Sequence, residues 1–125
     1  MFDHISIGVA DLDRSQRFYD AALGAIGYER LSKSEQMLGY GPERVAFWVA
    51  RAPRPVVPDM DSGLHFCFVA PSEDAVREFH TKALAAGGSD NGAPGVRPEY
   101  GQTYYAAFVI DPDGYRLEAY FRMPD

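Results

Sequence analysis

An internal repeat is the feature that most restricts how this chain can fold. The segment that begins at Asp3 matches, without a gap, the segment that begins sixty-one residues later at Leu64. Seven of the first twenty-five positions compared are identical. The identical pairs are His4/His65, Asp13/Asp74, Phe18/Phe79, Ala22/Ala83, Leu23/Leu84, Ala25/Ala86 and Gly27/Gly88. Similarity at a fixed offset is typical of a duplicated structural unit, so two copies of one unit are predicted.

Each copy begins with the pattern of a strand followed by an amphipathic helix. In the first copy, apolar side chains alternate with small or polar ones over residues 5–9, and a helical stripe runs from a predicted N-cap at Asp11 to Gly24. The second copy repeats this order, with a strand from Leu64 and a helix that begins after Ser72. The two copies therefore share one local architecture.

Strand-like segments separated by turns follow each helix. In the second copy, two such segments flank Asp111-Pro112-Asp113-Gly114, which predicts a β-hairpin because Pro favours a turn and Gly tolerates positive φ. Residues 89–103 are rich in Gly and Pro and lack periodicity, so they are predicted to form a loop that shapes the substrate pocket. The predicted strands are Tyr28–Leu31, Met37–Tyr40, Val45–Ala50, Tyr104–Ile110 and Tyr115–Phe121.

These patterns predict an α+β fold made of one domain, residues 1–125. Module one spans residues 1–51 and module two spans residues 64–125. The linker, residues 52–63, contains three prolines that disfavour a helix or a central strand. Each module contains a strand, a helix and about three strands, and two such units can pair their sheets around a shared cavity.

Composition narrows the classes of partner. The net charge is −6 and no Lys/Arg cluster is present, so a small-molecule substrate is expected and a nucleic-acid partner is not. The chain starts with Met1-Phe2-Asp3-His4 and has no apolar run typical of a signal or a membrane span, which leads us to expect a cytoplasmic location without membrane attachment. Cys67 is the only cysteine and is expected to be a small buried residue.

Two histidines and one glutamate are the candidate metal ligands. His4 and His65 occupy equivalent positions on the first strands of the two copies, and Glu118 shares a face of the last strand with Arg116. Two imidazoles and one carboxylate bind a divalent transition ion, such as zinc, manganese, iron, nickel or cobalt, and leave coordination positions open. Other roles remain open at this point, because the histidines could form hydrogen bonds in the core and Glu118 could be an edge residue or the ion-pair partner of Arg116.

Further residues are candidates for substrate contacts. Arg97 or Arg116 could bind an anionic group of the substrate, while Trp48, Tyr100 and Tyr104 could provide apolar or stacking walls. If the reaction moves a proton, a metal-bound water, Glu118 or a tyrosine such as Tyr104 could carry it. Strand alternation alone does not decide which tyrosine of the pair Tyr104-Tyr105 faces the cavity.

Several motifs resemble the vicinal oxygen chelate superfamily, which includes glyoxalase I, extradiol ring-cleaving dioxygenases, fosfomycin-resistance enzymes and bleomycin-resistance binding proteins. The motifs are Asp3-His4-Ile5-Ser6-Ile7-Gly8-Val9-Ala10-Asp11-Leu12, Arg17-Phe18-Tyr19, Gly63-Leu64-His65-Phe66 and Asp111-Pro112-Asp113-Gly114-Tyr115-Arg116-Leu117-Glu118. The resemblance covers nearly the whole chain. It implies two tandem βαβββ modules, paired into a partly open barrel around one cavity, and metal ligands at His4, His65 and Glu118.

Differences from individual members limit what the resemblance implies. Glyoxalase I usually adds a fourth ligand on the last strand of module one, where residues 45–50 offer none. Three ligands match the dioxygenases and fosfomycin-resistance enzymes better, and Ser6 stands where the latter commonly have a threonine. The phosphonate-binding residues of the latter are not evident in residues 94–103, and the extra base histidine of the ring-cleaving enzymes has only His80, on a helix, as a counterpart.

The resemblance favours a divalent-metal-dependent enzyme that acts on a small oxygen-chelating substrate by isomerase, lyase, thiol-transferase or oxygenase chemistry. The alternative is a metal-free protein of the bleomycin-resistance type that sequesters a ligand. A small dimeric domain whose histidines serve only structure is a third possibility. Members of the superfamily usually form homodimers, and some exchange modules so that the two histidines of one site come from different chains.

Overall fold

The computed structural model describes residues 1–125, apart from the side chain of residue 60. Over these residues it contains eight strands, two α-helices and one short 3-10 helix. The elements are β1 (Ile5–Val9), α1 (Leu12–Gly24), β2 (Glu29–Lys33), β3 (Met37–Gly41), β4 (Phe47–Arg51), the 3-10 helix (Met60–Ser62), β5 (Phe66–Val69), α2 (Glu73–Ala85), β6 (Ser89–Val96), β7 (Tyr104–Ile110) and β8 (Arg116–Arg122).

The strands form two four-stranded sheets with the same topology. Their orders are β1-β4-β3-β2 and β5-β8-β7-β6. In each sheet the first strand pairs in parallel with the last strand of its module, and the other pairs are antiparallel. The predicted α+β fold with two tandem βαβββ modules is confirmed, and the sheets do not close into a barrel, as expected for a partly open one. Below, the first module contains β1–β4 and α1, and the second contains β5–β8 and α2.

Local signals in the sequence determine where the helices begin. Asp11 caps α1 by accepting a hydrogen bond from the backbone N–H of Arg14 at 3.1 Å, and Ser72 caps α2 by accepting one from Ala75 at 3.0 Å. Both predicted N-caps are therefore confirmed. Each helix has 13 residues, and among the described residues no helix is long and apolar enough to cross a bilayer.

The hydrophobic core lies on the helix side of each sheet and continues between the modules. Phe47 of β4 packs against Tyr19 of α1, with ring centroids 5.4 Å apart, and against Phe68 of β5 at 5.3 Å. The side chains that alternate with these core residues lie on the opposite face of each sheet, which we call the open face. Ser6 and Trp48 are on the open face of the first sheet, and Cys67 and Glu118 are in register on that of the second.

The turn between β7 and β8 attaches the second module to the first. The Tyr19 hydroxyl donates to Asp111 Oδ2 at 2.5 Å, and the Ala10 N–H and Arg14 Nη2 each donate to Asp113 Oδ1 at 3.1 Å. Asp111 is 3% exposed, and this burial raises the pKa of its carboxyl group. The predicted hairpin is confirmed, and its turn also fixes the position of α1 relative to the second module.

Residues 89–96 form the edge strand β6, so the prediction of a continuous loop over residues 89–103 is wrong. The pairing of β6 with β7 shifts register between Asp90 and Gly92 and again between Gly92 and Gly95. Gly92 has a φ of +152°, a conformation that L-residues rarely adopt. An edge strand pairs on one side only and tolerates Pro and bulges, which is why this segment lacks strand alternation.

Candidate functional site

Glu118 is a buried carboxylate with two partners on the open face of the second sheet. The side chain lies on β8, and the residue is only 2% exposed. Its Oε1 is 3.1 Å from His65 Nε2, and its Oε2 accepts a hydrogen bond from the Tyr104 hydroxyl at 2.5 Å. Arg116 does not pair with it, so the expected alternative of an Arg116–Glu118 ion pair is not seen. The buried carboxylate instead contacts the imidazole of His65 and the phenol of Tyr104.

The pair His65 and Glu118 lines a cavity of about 370 Å³. All residues that line the cavity belong to the second module or directly precede it. They are Gly63, Leu64, His65, Asn91, Tyr100, Tyr104, Phe108, Arg116 and Glu118. Three further residues that were expected near a substrate, Tyr100, Tyr104 and Arg116, also line this cavity, and the two tyrosines form one wall of it. The ring centroids of Tyr100 and Tyr104 are 5.2 Å apart.

Tyr104, rather than Tyr105, faces the cavity. Tyr105 is buried on the helix side of β7, where its hydroxyl accepts a hydrogen bond from Arg77 Nη1 at 3.0 Å. Desolvation, together with the hydrogen bond to Glu118, raises the pKa of Tyr104 above its ordinary value. The Tyr104 phenol therefore stays protonated at neutral pH and acts as a hydrogen-bond donor.

Arg97 borders an adjoining cavity of about 270 Å³ rather than that of His65 and Glu118. Its guanidinium carbon lies 5.2 Å from the centroid of the Phe108 ring, and its Nη2 donates to the carbonyl of Ala93 at 2.6 Å. The two cavities share Asn91, Tyr100 and Phe108. Arg97 therefore packs on Phe108, which borders both cavities.

His4 lines a different cavity, of about 380 Å³, at the junction of the two modules. Its Nδ1 is 2.7 Å from Asp3 Oδ2, and the hydrogen bond to His4, followed by the charge of Arg44, lowers the pKa of the Asp3 carboxyl group. Within one chain His4 does not join His65 and Glu118. Among the described residues, no three His, Cys, Asp or Glu side chains form a group that could hold a metal ion.

Trp48 occupies the position in the first module that Glu118 occupies in the second. Ser6 is in register with Trp48, and Cys67 is in register with Glu118, while Ser6 and Cys67 are sixty-one residues apart and thus equivalent in the repeat. The half-buried indole lies against Gly39, where a Cβ atom would be 2.7 Å from Trp48 Cζ3. Ser6 and Trp48 both lie on the open face of the first sheet, outside the cavity of His65.

Cys67 is exposed, so its predicted burial is wrong. It lies on the open face in register with Glu118. Desolvation and the Glu118 carboxylate raise the pKa of the Cys67 thiol to about 12. The signal was present in the sequence, since Cys67 is two residues after His65 and must share its strand face. Phe108 also lines the cavity and was not predicted to do so, whereas Asn91 belongs to residues 89–103, which were predicted to shape the pocket.

Comparison with known proteins identifies a family. Residues 1–119 match the sequence model of the Glyoxalase/Bleomycin resistance protein/Dioxygenase superfamily. The chain is 35% identical to a lactoylglutathione lyase of Arabidopsis thaliana, over 98% of this chain and 44% of that protein. It is 32% identical to a probable lactoylglutathione lyase of Vibrio cholerae, over 92% of this chain and 86% of that protein. The chain thus spans less than half the length of the plant relatives it matches.

The fold has close counterparts among solved structures. A glyoxalase/bleomycin resistance protein from Albidiferax ferrireducens superposes with a TM-score of 0.87 and 30% sequence identity, covering 98% of this chain and 99% of that one. A lactoylglutathione lyase from Agrobacterium tumefaciens superposes with a TM-score of 0.67 at 20% identity, covering 97% and 92% of the two chains. The second likeness concerns the fold alone.

Proposed function

The chain belongs to the glyoxalase/bleomycin resistance protein/dioxygenase superfamily, and from this premise we propose that it is a divalent-metal-dependent enzyme that acts on a small oxygen-chelating substrate. One observation carries the proposal, namely the convergence of His65 and Glu118 on one cavity. Two ligand atoms bound at about 2.1 Å from one ion, at right angles, lie roughly 3.0 Å apart. The distance of 3.1 Å between His65 Nε2 and Glu118 Oε1 fits such a pair.

The third ligand of this proposal is His4 of a second copy of the chain, in a homodimer. His4 is exposed, and the Nδ1–H donated to Asp3 leaves Nε2 available as the ligand nitrogen. His4 also lies outside the cavity that contains His65 and Glu118. A second copy that covers the open faces would supply its His4 as the third ligand. The donor set of two imidazoles and one carboxylate accepts zinc, manganese, iron, nickel or cobalt.

An ion at this site would supply Lewis-acid chemistry, which stabilises negative charge that develops on chelated substrate oxygens. The chain's own residues would then orient and protect the substrate. Tyr104 donates a hydrogen bond that holds Glu118 in place, and the rings of Tyr100 and Tyr104 border one side of the cavity. Because Trp48 stands in the first module where Glu118 stands in the second, that strand offers no further ligand, and a three-ligand site would leave more positions for substrate oxygens.

The relatives favour lyase-type chemistry among the reactions that the sequence left open. Two of them, from Arabidopsis thaliana and Vibrio cholerae, are named lactoylglutathione lyase or probable lactoylglutathione lyase. In such a reaction Glu118 is the group placed to move a proton, because the phenol of Tyr104 stays protonated. We therefore propose Glu118 as the proton-transfer residue and Tyr104 as the residue that positions it.

Metal content tests this proposal directly. Wild-type protein is expected to take up one divalent ion per chain, while His4→Ala, His65→Ala and Glu118→Gln lose that uptake when measured by elemental analysis after dialysis. His80→Ala is the matched control, because His80 lies on α2 outside both cavities and pairs with Asp90 at 2.9 Å. A wild-type protein without a bound ion, or ion uptake equal in all four variants, would contradict the proposal.

A metal-free, ligand-sequestering protein is the alternative function. It is favoured by the acidic net charge of −6 and by the finding that the described residues of one chain form no three-ligand group. Thermal melts distinguish the two functions. An ion bound only to the native state raises the melting temperature by mass action, so a chelator lowers it for the enzyme and leaves it unchanged for the metal-free protein.

A further inference from the structure

The cavity of His65 and Glu118 contains one other charged side chain, that of Arg116. Arg116 and Glu118 are two residues apart on the same face of β8, which places their Cα atoms roughly 6.6 Å apart. Tyr104 and Phe108 of β7 lie alongside them. An arginine, a carboxylate and two aromatic rings thus border one space.

Arg116 has no anionic partner among the described residues, although the chain is rich in acidic groups. Five other arginines pair with aspartates, but among the described residues no carboxylate lies within ion-pair distance of Arg116, and no side-chain or carbonyl oxygen accepts a hydrogen bond from it. The residue is half-buried, and its guanidinium nitrogens are accessible to a ligand that enters the cavity. A planar guanidinium in a concave site is well suited to bind a carboxylate through two hydrogen bonds.

The charge of the loaded cavity also favours an anionic ligand. The positive charge of Arg116 and the negative charge of Glu118 sum to zero. A divalent ion held by His65 and Glu118 would therefore give the cavity a net positive charge. We infer that the substrate is a flat oxygen chelator that carries a carboxylate, which pairs with Arg116 while the ring or conjugated body lies between Tyr104 and Phe108. This inference rests on the proposed function, because the chelating end of the substrate requires the ion.

Two hydroxypyranone chelators provide a matched pair of probes. Comenic acid carries a carboxylate where kojic acid carries a hydroxymethyl group, and their chelating oxygens are the same. Binding of each compound to the zinc-loaded protein is measured by isothermal titration calorimetry. Wild-type protein is expected to bind comenic acid about tenfold more tightly than kojic acid, the equivalent of one charge-assisted hydrogen bond. In Arg116→Gln this preference disappears while the affinity for kojic acid is unchanged, which also shows that the variant is folded and loaded.

Two arginines serve as controls. Arg122 lies on the same strand face as Arg116, is exposed and pairs with Asp125 at 3.5 Å, so Arg122→Gln keeps the preference. Arg97→Gln also keeps it, because Arg97 borders the adjoining cavity. The inference is overturned if wild-type protein binds both compounds equally, if the preference for comenic acid persists in Arg116→Gln, or if it disappears in Arg97→Gln. In each of these cases, binding of kojic acid still supports the proposed function. If neither compound binds, the proposed function fails and the inference fails with it.

Discussion

The hydroxyl of Tyr104 fixes the orientation of the Glu118 carboxylate through a hydrogen bond of 2.5 Å. Groups that orient a metal ligand in this way commonly contribute about tenfold or more to metal affinity. We therefore expect Tyr104→Phe to weaken binding of a divalent ion by about tenfold, measured by competition with a chromophoric chelator. Tyr105→Phe is the control, since that hydroxyl lies on the helix side of the same strand. Equal affinities in the two variants would exclude the positioning role.

For individual residues, strand alternation predicts which side chains share a face of a sheet. Alternation put Glu118 and Arg116 on one face of β8, and the structure agrees. It also put Tyr104 and Tyr105 on opposite faces but could not say which face was open, because that depends on where α2 packs. Trp48 was predicted to form a wall of the substrate pocket, and it lies outside the cavity of His65 because its place on the open face of the first sheet depends on strand register.

At the scale of elements, the turn between β7 and β8 determines how the modules join. Asp113 Oδ1 accepts hydrogen bonds from the Ala10 N–H and from Arg14, and the Asp113 side chain is only 6% exposed. We expect Asp113→Ala to lower the free energy of unfolding by about 2 kcal/mol, because it leaves two donors without their acceptor. Urea unfolding measures this value. Asp125→Ala, at an exposed ion pair, is expected to change it by less than about 0.5 kcal/mol, and equal effects would refute a role for the turn.

The helices, their caps and the hairpin could be predicted because each is specified by short-range signals such as Asp11, Ser72 and Asp111-Pro112-Asp113-Gly114. Strand β6 could not. Its Gly and Pro residues resemble those of a loop, and only its pairing with β7 makes it a strand. The contacts of Asp111 and Asp113 with α1 were also beyond prediction, since the partners are about one hundred residues apart in the chain.

At the scale of the whole molecule, the repeat predicts two modules but not how they are placed. Internal symmetry allows the two histidines to meet within one chain or across two. In this chain His4 and His65 line separate cavities. Asp111 and Asp113 bind residues of the first module and so fix where His4 lies relative to His65. A sequence pattern within one module does not predict these contacts.

Mixing of subunits tests the proposed two-chain site. A dimer of one His4→Ala chain and one His65→Ala chain would contain one complete ligand set and one that lacks both histidines. Random reassembly of the two variants is therefore expected to restore about a quarter of the full-affinity metal sites of wild-type protein, measured by metal titration. Either variant alone restores none. If both histidines served the same chain, the mixture would also restore none.

Trp48 is the only tryptophan of the chain, and it is half-buried on the open face of the first sheet. Indole emission moves to shorter wavelength as water is removed from around the ring. The protein therefore carries one built-in fluorophore, held against Gly39, on the surface that a second copy would cover. Its emission spectrum records whether that surface is wet or dry, so assembly can be followed by light without an added dye.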